Sequence, residues 1–217
     1  MIEYEQIISV YDKYFNESPV LMLDIGANMG RVAGKIVERY PSIEVHAFEP
    51  YPEIFQMLND RNSSFNCYQL ALSDFNGVAE FYLRPILDED RDKDQVTGDS
   101  SLLYRPEYGY FNDEIIQVKV STAKDFLLSH GLGDTIIDIV KIDVEGAGMQ
   151  VVNGFADQIK NVKLIHIELE NLSVWDGQAL TDDVIKNLNL LGFALINTID
   201  DGLQTNAVFV NRLFMVN

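Results

Sequence analysis

Cysteine is nearly absent. Cys67 is the only one, so no intrachain disulfide can form and a reducing, cytoplasmic setting is expected. Positive charge is also scarce, with 16 Lys and Arg against 34 Asp and Glu, a formal net charge of −18. That balance opposes non-specific attraction to nucleic acid or to an anionic membrane surface, and no Lys/Arg cluster offsets it. No apolar run approaches the roughly 20 residues of a membrane span. The first residues, Met1-Ile2-Glu3-Tyr4-Glu5, are acidic and lack a secretory charge pattern. What is present is 217 residues, 47% of them hydrophobic, which suits one large α/β domain over 1–217 with a substantial core. No internal repeat and no interdomain linker is visible.

Missing as well is the Gly-x-Gly-x-x-Gly turn that cradles a dinucleotide pyrophosphate. The nearest segment is Met22-Leu23-Asp24-Ile25-Gly26-Ala27-Asn28-Met29-Gly30, where Asn28 and Arg31 occupy the second and third glycine positions. An apolar run leading into a carboxylate, a Gly-x-x-x-Gly turn and a helical pattern reads as the first strand–turn–helix of an open α/β sheet. Gly26 permits the sharp turn and close approach of a ligand, and Gly30 lets the helix start near the strand. Asp24 would repel a pyrophosphate but attract a cation. S-adenosylmethionine (SAM), with a sulfonium, an ammonium and no phosphate, suits this turn better than NAD; an unliganded turn is the alternative. The next strand signal, Ile43 to Phe48, ends in Glu49, about 20 residues after the turn, where a carboxylate accepts hydrogen bonds from ribose hydroxyls.

The remaining pattern alternates in the same way. An amphipathic helix over 1–18 ends near Pro19. Strands are expected at 20–25, 43–48, 65–71, 136–142 and 162–169, with helices at 30–40, 51–61, 123–129, 147–159 and 182–191. Thr122 is placed to cap the helix at 123–129. The last strand signals, 193–199 and 205–209, are joined by Asp200-Asp201-Gly202, a connection short enough to force an antiparallel pair. Residues 76–120 interrupt the rhythm as an inserted hairpin and loop, with strand-like alternation at Val78 to Leu83 and Ile115 to Val120. The charged stretch Asp88 to Asp94 between them reads as a solvated loop, with a substrate lid as the other reading.

Charge then gathers at one strand end. In Ile139-Val140-Lys141-Ile142-Asp143-Val144-Glu145-Gly146, Lys141 and Asp143 share a face and Glu145 follows in the turn, where a ligand crevice lies in open α/β sheets. Lys141 admits two readings, a structural salt bridge or an orienter of a carboxylate. His166, Glu168 and Glu170 alternate along the next strand, with His166 deeper and expected to be a hydrogen-bonded core residue. Asp143, Glu145 and Glu168 offer oxygens to a hard divalent cation, although none of these spacings is specific for a metal.

Four segments together resemble the FkbM family of SAM-dependent methyltransferases: Leu23 to Gly30, Ala47-Phe48-Glu49-Pro50, Ala71-Leu72-Ser73-Asp74, and Lys141 to Gly146. Ser100-Ser101-Leu102 and Ile167-Glu168 also look like family positions. The resemblance implies the class I methyltransferase, Rossmann-like fold: a mostly parallel seven-stranded sheet with a C-terminal antiparallel hairpin. It implies methyl transfer to a hydroxyl of a sugar, glycolipid, polysaccharide or natural product, with S-adenosylhomocysteine (SAH) as product. By position, Gly26, Asn28 and Gly30 would line the methionine part of SAM with Asp24 close by. Glu49 would hold the ribose, Ala71, Ser73 and Asp74 would border adenine, and Asp143 would face methyl donor and acceptor. The chain departs from the family where a second glutamate is usual in Glu-Gly-Ala-Glu, since Gly148 stands there. Thr122-Ala123-Lys124-Asp125 also differs from a Thr-Leu-Asp-Asp-like segment.

For hydroxyl transfer a base is wanted, with Asp143 first, Glu145 second, and Lys141 orienting either. No Asn/Asp-Pro-Pro-Tyr-like motif follows Ile142, which argues against nucleic-acid amino groups as acceptors. The alternatives are a non-catalytic SAM-binding or interaction protein and an NAD-dependent oxidoreductase. Tyr104, Tyr108, Tyr110 and Trp175 are acceptor contacts or packing residues, and Phe111 reads as packing.

Overall fold

Short apolar strands with no polar face need cover on both sides, and the computed structural model provides it. It describes residues 3–61, 64–83, 99–106 and 114–215. β1 (Leu21–Ile25) and β7 (Ile137–Ile142) are buried along their whole length, and β8 (Val162–Glu170) nearly so. With β2 (Glu44–Phe48), β3 (Asn66–Tyr68), β9 (Phe193–Asp200) and β10 (Gln204–Asn211) they form a seven-stranded sheet ordered β3-β2-β1-β7-β8-β10-β9. The pairs from β3 to β8 are parallel, and β10 runs antiparallel to both β8 and β9. This is the class I methyltransferase, Rossmann-like arrangement, terminal hairpin included.

The helices α1 (Glu3–Tyr14), α2 (Arg31–Arg39), α3 (Pro52–Arg61), α4 (Ala123–Ser129), α5 (Gly148–Gly154) and α6 (Thr181–Leu190) include those that cover the sheet. One face is packed by α4, α5 and α6 through Phe126, Val151 and Leu188, and the other by α1 and α2 through Ile7, Tyr11, Ala33 and Ile36. Thr122 caps α4 as its sequence position predicts, its hydroxyl oxygen accepting from the Asp125 N–H at 3.0 Å.

α1 is tied down at its far end. The Tyr11 hydroxyl donates to Asp138 Oδ1 at 2.9 Å, and Asp138 also accepts from the Val20 and Leu21 N–H groups and from Lys163 Nζ. Asp138 lies at the start of β7. A helix of 12 residues rises about 18 Å, close to the span of a six-residue strand. The first turn of α1 is thereby delivered to the carboxyl edge of the sheet.

Three expectations change. The single strand expected at 65–71 is two: β3 ends at Tyr68, and β4 (Ala71–Ser73) leaves for a second sheet ordered β4-β6-β5, with β5 (Gly77–Leu83) antiparallel to β6 (Glu114–Thr122). The bend at Gln69 and Leu70 moves the chain from one sheet to the other. The helix expected over 147–159 stops at Gly154, and a 3-10 segment Ala156–Asn161 follows from a residue with φ of 48°. Gly154 sits so close to β4 that an added Cβ would lie 2.0 Å from the Ser73 carbonyl oxygen. The first helix ends at Tyr14 rather than 18.

Candidate functional site

The site begins where β1 and β7 end side by side. Three residues of the turn after β1 take left-handed backbone angles, Gly26 at 72°, Asn28 at 50° and Gly30 at 76°. Gly26 has no room for a side chain, since a Cβ would come within 1.8 Å of the Asp143 carbonyl oxygen. The Gly26 and Ala27 N–H groups donate to the Phe48 carbonyl at 3.1 and 2.9 Å, which fastens the turn to the end of β2. Glu49 is the first residue after β2. Its carboxylate accepts from the Asn28 N–H at 3.0 Å and the Tyr51 N–H at 2.9 Å, and burial pushes its pKa up to about 7 against those two bonds.

A cavity of about 220 Å³ opens above these strand ends. Of the residues assigned to cofactor by sequence, Gly26, Asn28, Glu49, Ala71 and Asp143 line it. Asp24, Gly30, Ser73 and Asp74 do not. Asp24 is fully buried, 3.4 Å from Lys141 Nζ, and its charge faces that lysine instead of the cavity. Gly30 sets the start of α2. Ser73 is buried against Gly154, and Asp74 faces outward, so the wall given to Ala71 to Asp74 is made by Leu70, Ala71 and Leu72.

Lys141, Asp143 and Glu145 all line the cavity. Lys141 Nζ donates to the Gly26 carbonyl at 2.7 Å and lies 3.2 Å from Asp143 Oδ2, so it joins the Gly26 turn to the Asp143 carboxylate. Burial works against its charge, but Asp143, Asp24 and Glu3 outweigh burial and hold its pKa high. Burial likewise pushes Asp143 up, and the Lys141 ammonium reverses that and leaves its pKa below the usual range. Glu145 and Glu168 go the other way, raised well above a normal glutamate by burial and then by Asp143. Carboxylate oxygens of Asp143, Glu145 and Glu168 lie within 4.8 Å of one another. Such a trio suits a hard cation, and protonation of the two glutamates relieves the same repulsion. Asp143, ionised and paired, is the poorer proton acceptor of the trio.

Glu170 is turned aside, accepting from Gln204 Nε2 at 3.3 Å. His166 is fully buried, but neither ring nitrogen has a hydrogen-bond partner among the described residues, which corrects the expectation of a hydrogen-bonded histidine. Burial lowers its pKa to about 3, so it is neutral. Trp175 is 3% exposed and packs on Gly146, whose added Cβ would meet its ring at 2.5 Å, while the Arg105 guanidinium lies 5.0 Å over the ring. It is a packing residue. Tyr104 is exposed and lies 5.5 Å from the Tyr82 ring. Asp88 to Asp94, Tyr108, Tyr110 and Phe111 fall outside the described residues. Gly148 faces Ile167, with 3.0 Å between an added Cβ and Ile167 Cδ1, so the space beside β8 is tight at the position where the family usually has glutamate.

Sequence reasoning missed several participants. Glu3 and Tyr4 of α1 and Arg31 of α2 also line the cavity. Acidic residues in the first turn of α1 were visible, but nothing local said which end of the sheet that turn would meet. Ser101, which the sequence marks as a family position, donates its hydroxyl to the Glu145 carbonyl at 2.6 Å and accepts from the Leu103 N–H at 3.0 Å, pinning residues 99–106 to the turn after β7.

Comparison with known proteins bears on the family and the fold. The family model described as a methyltransferase FkbM domain matches residues 24–195. The 2-O-methyltransferase NoeI of Sinorhizobium fredii (strain NBRC 101917 / NGR234) is 26% identical over 185 residues, covering 81% of this chain and 72% of NoeI. The methyltransferase sdnD of Sordaria araneosa is 25% identical over 186 residues, covering 71% of this chain and 68% of sdnD. Among solved structures, the plantazolicin methyltransferase BpumL in complex with SAH superposes with a TM-score of 0.53 at 11% identity, covering 96% of this chain and 82% of BpumL. The fibrillarin/Nop5p complex superposes with a TM-score of 0.51 at 9% identity, covering 97% of this chain and 83% of that one. At such identities the two structures bear on the fold alone.

Proposed function

The chain belongs to the FkbM methyltransferase family and is a SAM-dependent methyltransferase, and we propose that its acceptor is a hydroxyl group on a sugar, glycolipid, polysaccharide or natural product. The observation that carries this reading is the carboxyl group of Glu145, raised in pKa, in the wall of the same cavity that holds Glu49 and the Gly26 turn. The 2-O-methyltransferase NoeI, similar over most of its length, supports oxygen as the acceptor atom.

The residues present fit SAM. Glu49 offers carboxylate oxygens to the ribose hydroxyls, Leu70 and Leu72 offer an apolar wall to the adenine, and Gly26 leaves backbone exposed for the methionine part. When bound, SAM supplies a methyl carbon already activated by a positive sulfur. The protein's share is alignment, exclusion of water and removal of one proton. The hydroxyl oxygen forms the new bond to the methyl carbon as the carbon–sulfur bond breaks. The electron pair of that bond stays on sulfur, giving neutral SAH, and the hydroxyl proton passes to Glu145.

We reverse the order given by sequence position. Asp143 is held ionised by Lys141, and its negative charge beside the acceptor favours the developing positive charge on the hydroxyl. Glu145, in its ionised form, has the higher proton affinity of the two and is the better-matched base. The test is transfer of labelled methyl from SAM to a panel of hydroxylated glycans and natural products, with product bonds assigned by mass spectrometry. Methyl ethers are expected, and Glu145→Gln is expected to lower kcat by about 10²-fold or more while SAM affinity stays within about twofold. Methylation only at nitrogen or carbon would overturn the hydroxyl assignment. Full turnover in Glu145→Gln with loss in Asp143→Asn would return the base to Asp143.

A further inference from the structure

The cavity wall has one contributor from far outside the family motifs. Glu3 and Tyr4, in the first turn of α1, line it together with Asn28, Arg31, Lys141 and Asp143. Glu3 is half-buried there, and burial followed by the charge of Asp143 raises its pKa, with Lys141 and Arg31 acting in the opposite direction. Its placement is not a loose end of the chain. α1 is clamped at one end by Tyr11 on Asp138 and along its length by Ile7, Val10 and Tyr11 in the core. The Gln6 amide adds a bond to Asn197 Oδ1 at 2.8 Å. Glu3 lies within one helical turn of Gln6, so these contacts set where it stands.

This end of the cavity therefore carries anionic and cationic side chains at once, beside a left-handed turn that offers backbone groups. Such a bipolar wall matches an α-amino acid zwitterion better than it matches a sugar or an adenine ring. We propose that α1 completes the cofactor site, with Glu3 receiving the ammonium group of the methionine part of SAM and Arg31 facing its carboxylate. The inference rests on the SAM reading above. It makes α1 part of the ligand-binding machinery rather than packing alone, and it gives the ammonium a partner that leaves Asp143 for the reaction centre.

The test compares two ligands that differ at the amino-acid end. SAH carries the zwitterion, and 5′-methylthioadenosine keeps adenine, ribose and sulfur without it. Calorimetric titration of the untagged 217-residue chain is expected to show Glu3→Gln binding SAH about tenfold more weakly than wild type, as for a lost charge-assisted hydrogen bond. The same variant should bind 5′-methylthioadenosine within about twofold of wild type, and Glu5→Gln, on the exposed face of the same turn, should match wild type for both. Equal SAH affinity in Glu3→Gln and wild type would overturn the proposal, as would a parallel loss for both ligands, which would mean a displaced helix. Failure of the wild-type protein to bind either ligand would instead overturn the SAM reading on which the proposal stands.

Discussion

Glu49 shows how one buried carboxyl ties cofactor affinity to pH. Its folded pKa of about 7 lies above the ordinary glutamate value, so the stability it contributes is complete at low pH and is lost as pH rises through about 7. Ribose hydroxyls donate to a carboxylate and not to a protonated acid. Affinity for SAH is therefore expected to rise between about pH 5.5 and about pH 8, with proton release on binding near pH 7. Lys141 favours the ionised form and Asp24 opposes it, but burial dominates both. Titration in buffers of different ionisation enthalpy checks this, and Glu49→Gln should flatten the profile. A flat wild-type profile would mean that Glu49 binds as a neutral group or not at all. The residues that could be placed from sequence here, Gly26, Asn28, Glu49, Asp143 and Glu145, all sit within a few positions of a strand end. Their proton affinities could not be read that way, because Asp143 and Glu145 differ through Lys141, which reaches only one of them.

At the scale of elements, α5 and β4 form a tight joint between the main sheet's covering layer and the second sheet. Gly154→Ala would place a methyl against the Ser73 carbonyl and force the two apart. A loss of about 3 kcal/mol is expected, seen as a fall in Tm of about 5–10 °C. Because Ala71 and Leu72 of β4 line the cavity, SAH affinity should fall as well. Unchanged Tm would mean that β4 yields at no cost. Element order, the terminal hairpin and the Thr122 cap were legible in sequence because each is written locally, in alternation, a short turn or one side chain. The break between β3 and β4 was not. Residues 65–71 alternate as one strand would, and only pairing with β6, some 50 residues further on, draws the second half away. The end of the helix at Gly154 has the same kind of cause, a neighbour distant in sequence.

For the whole molecule, the charge of −18 is a standing self-repulsion. Raising NaCl from about 10 mM to about 0.3 M should increase Tm by a few degrees, since screening acts on the excess of acidic over basic residues more than on exposed pairs such as Lys35–Glu38 and Arg39–Asp12. A Tm that falls with salt would show that those pairs outweigh the repulsion. The same scale explains why α1 was read only as an amphipathic cover, since its role depends on a length matched to the sheet and an anchor at Asp138. A last consequence follows from the register of the second sheet, where Leu83 lies opposite Glu114. The two strands therefore meet at adjacent points of the second sheet, about 30 residues apart in sequence. Residues 99–106, between those strands in sequence, are fastened by the Tyr82–Ser101 backbone pair, by the Ser101 hydroxyl on Glu145 and by the Tyr104 carbonyl on the Asp176 N–H, so an exchange between the strands keeps the cavity only where it keeps this middle segment.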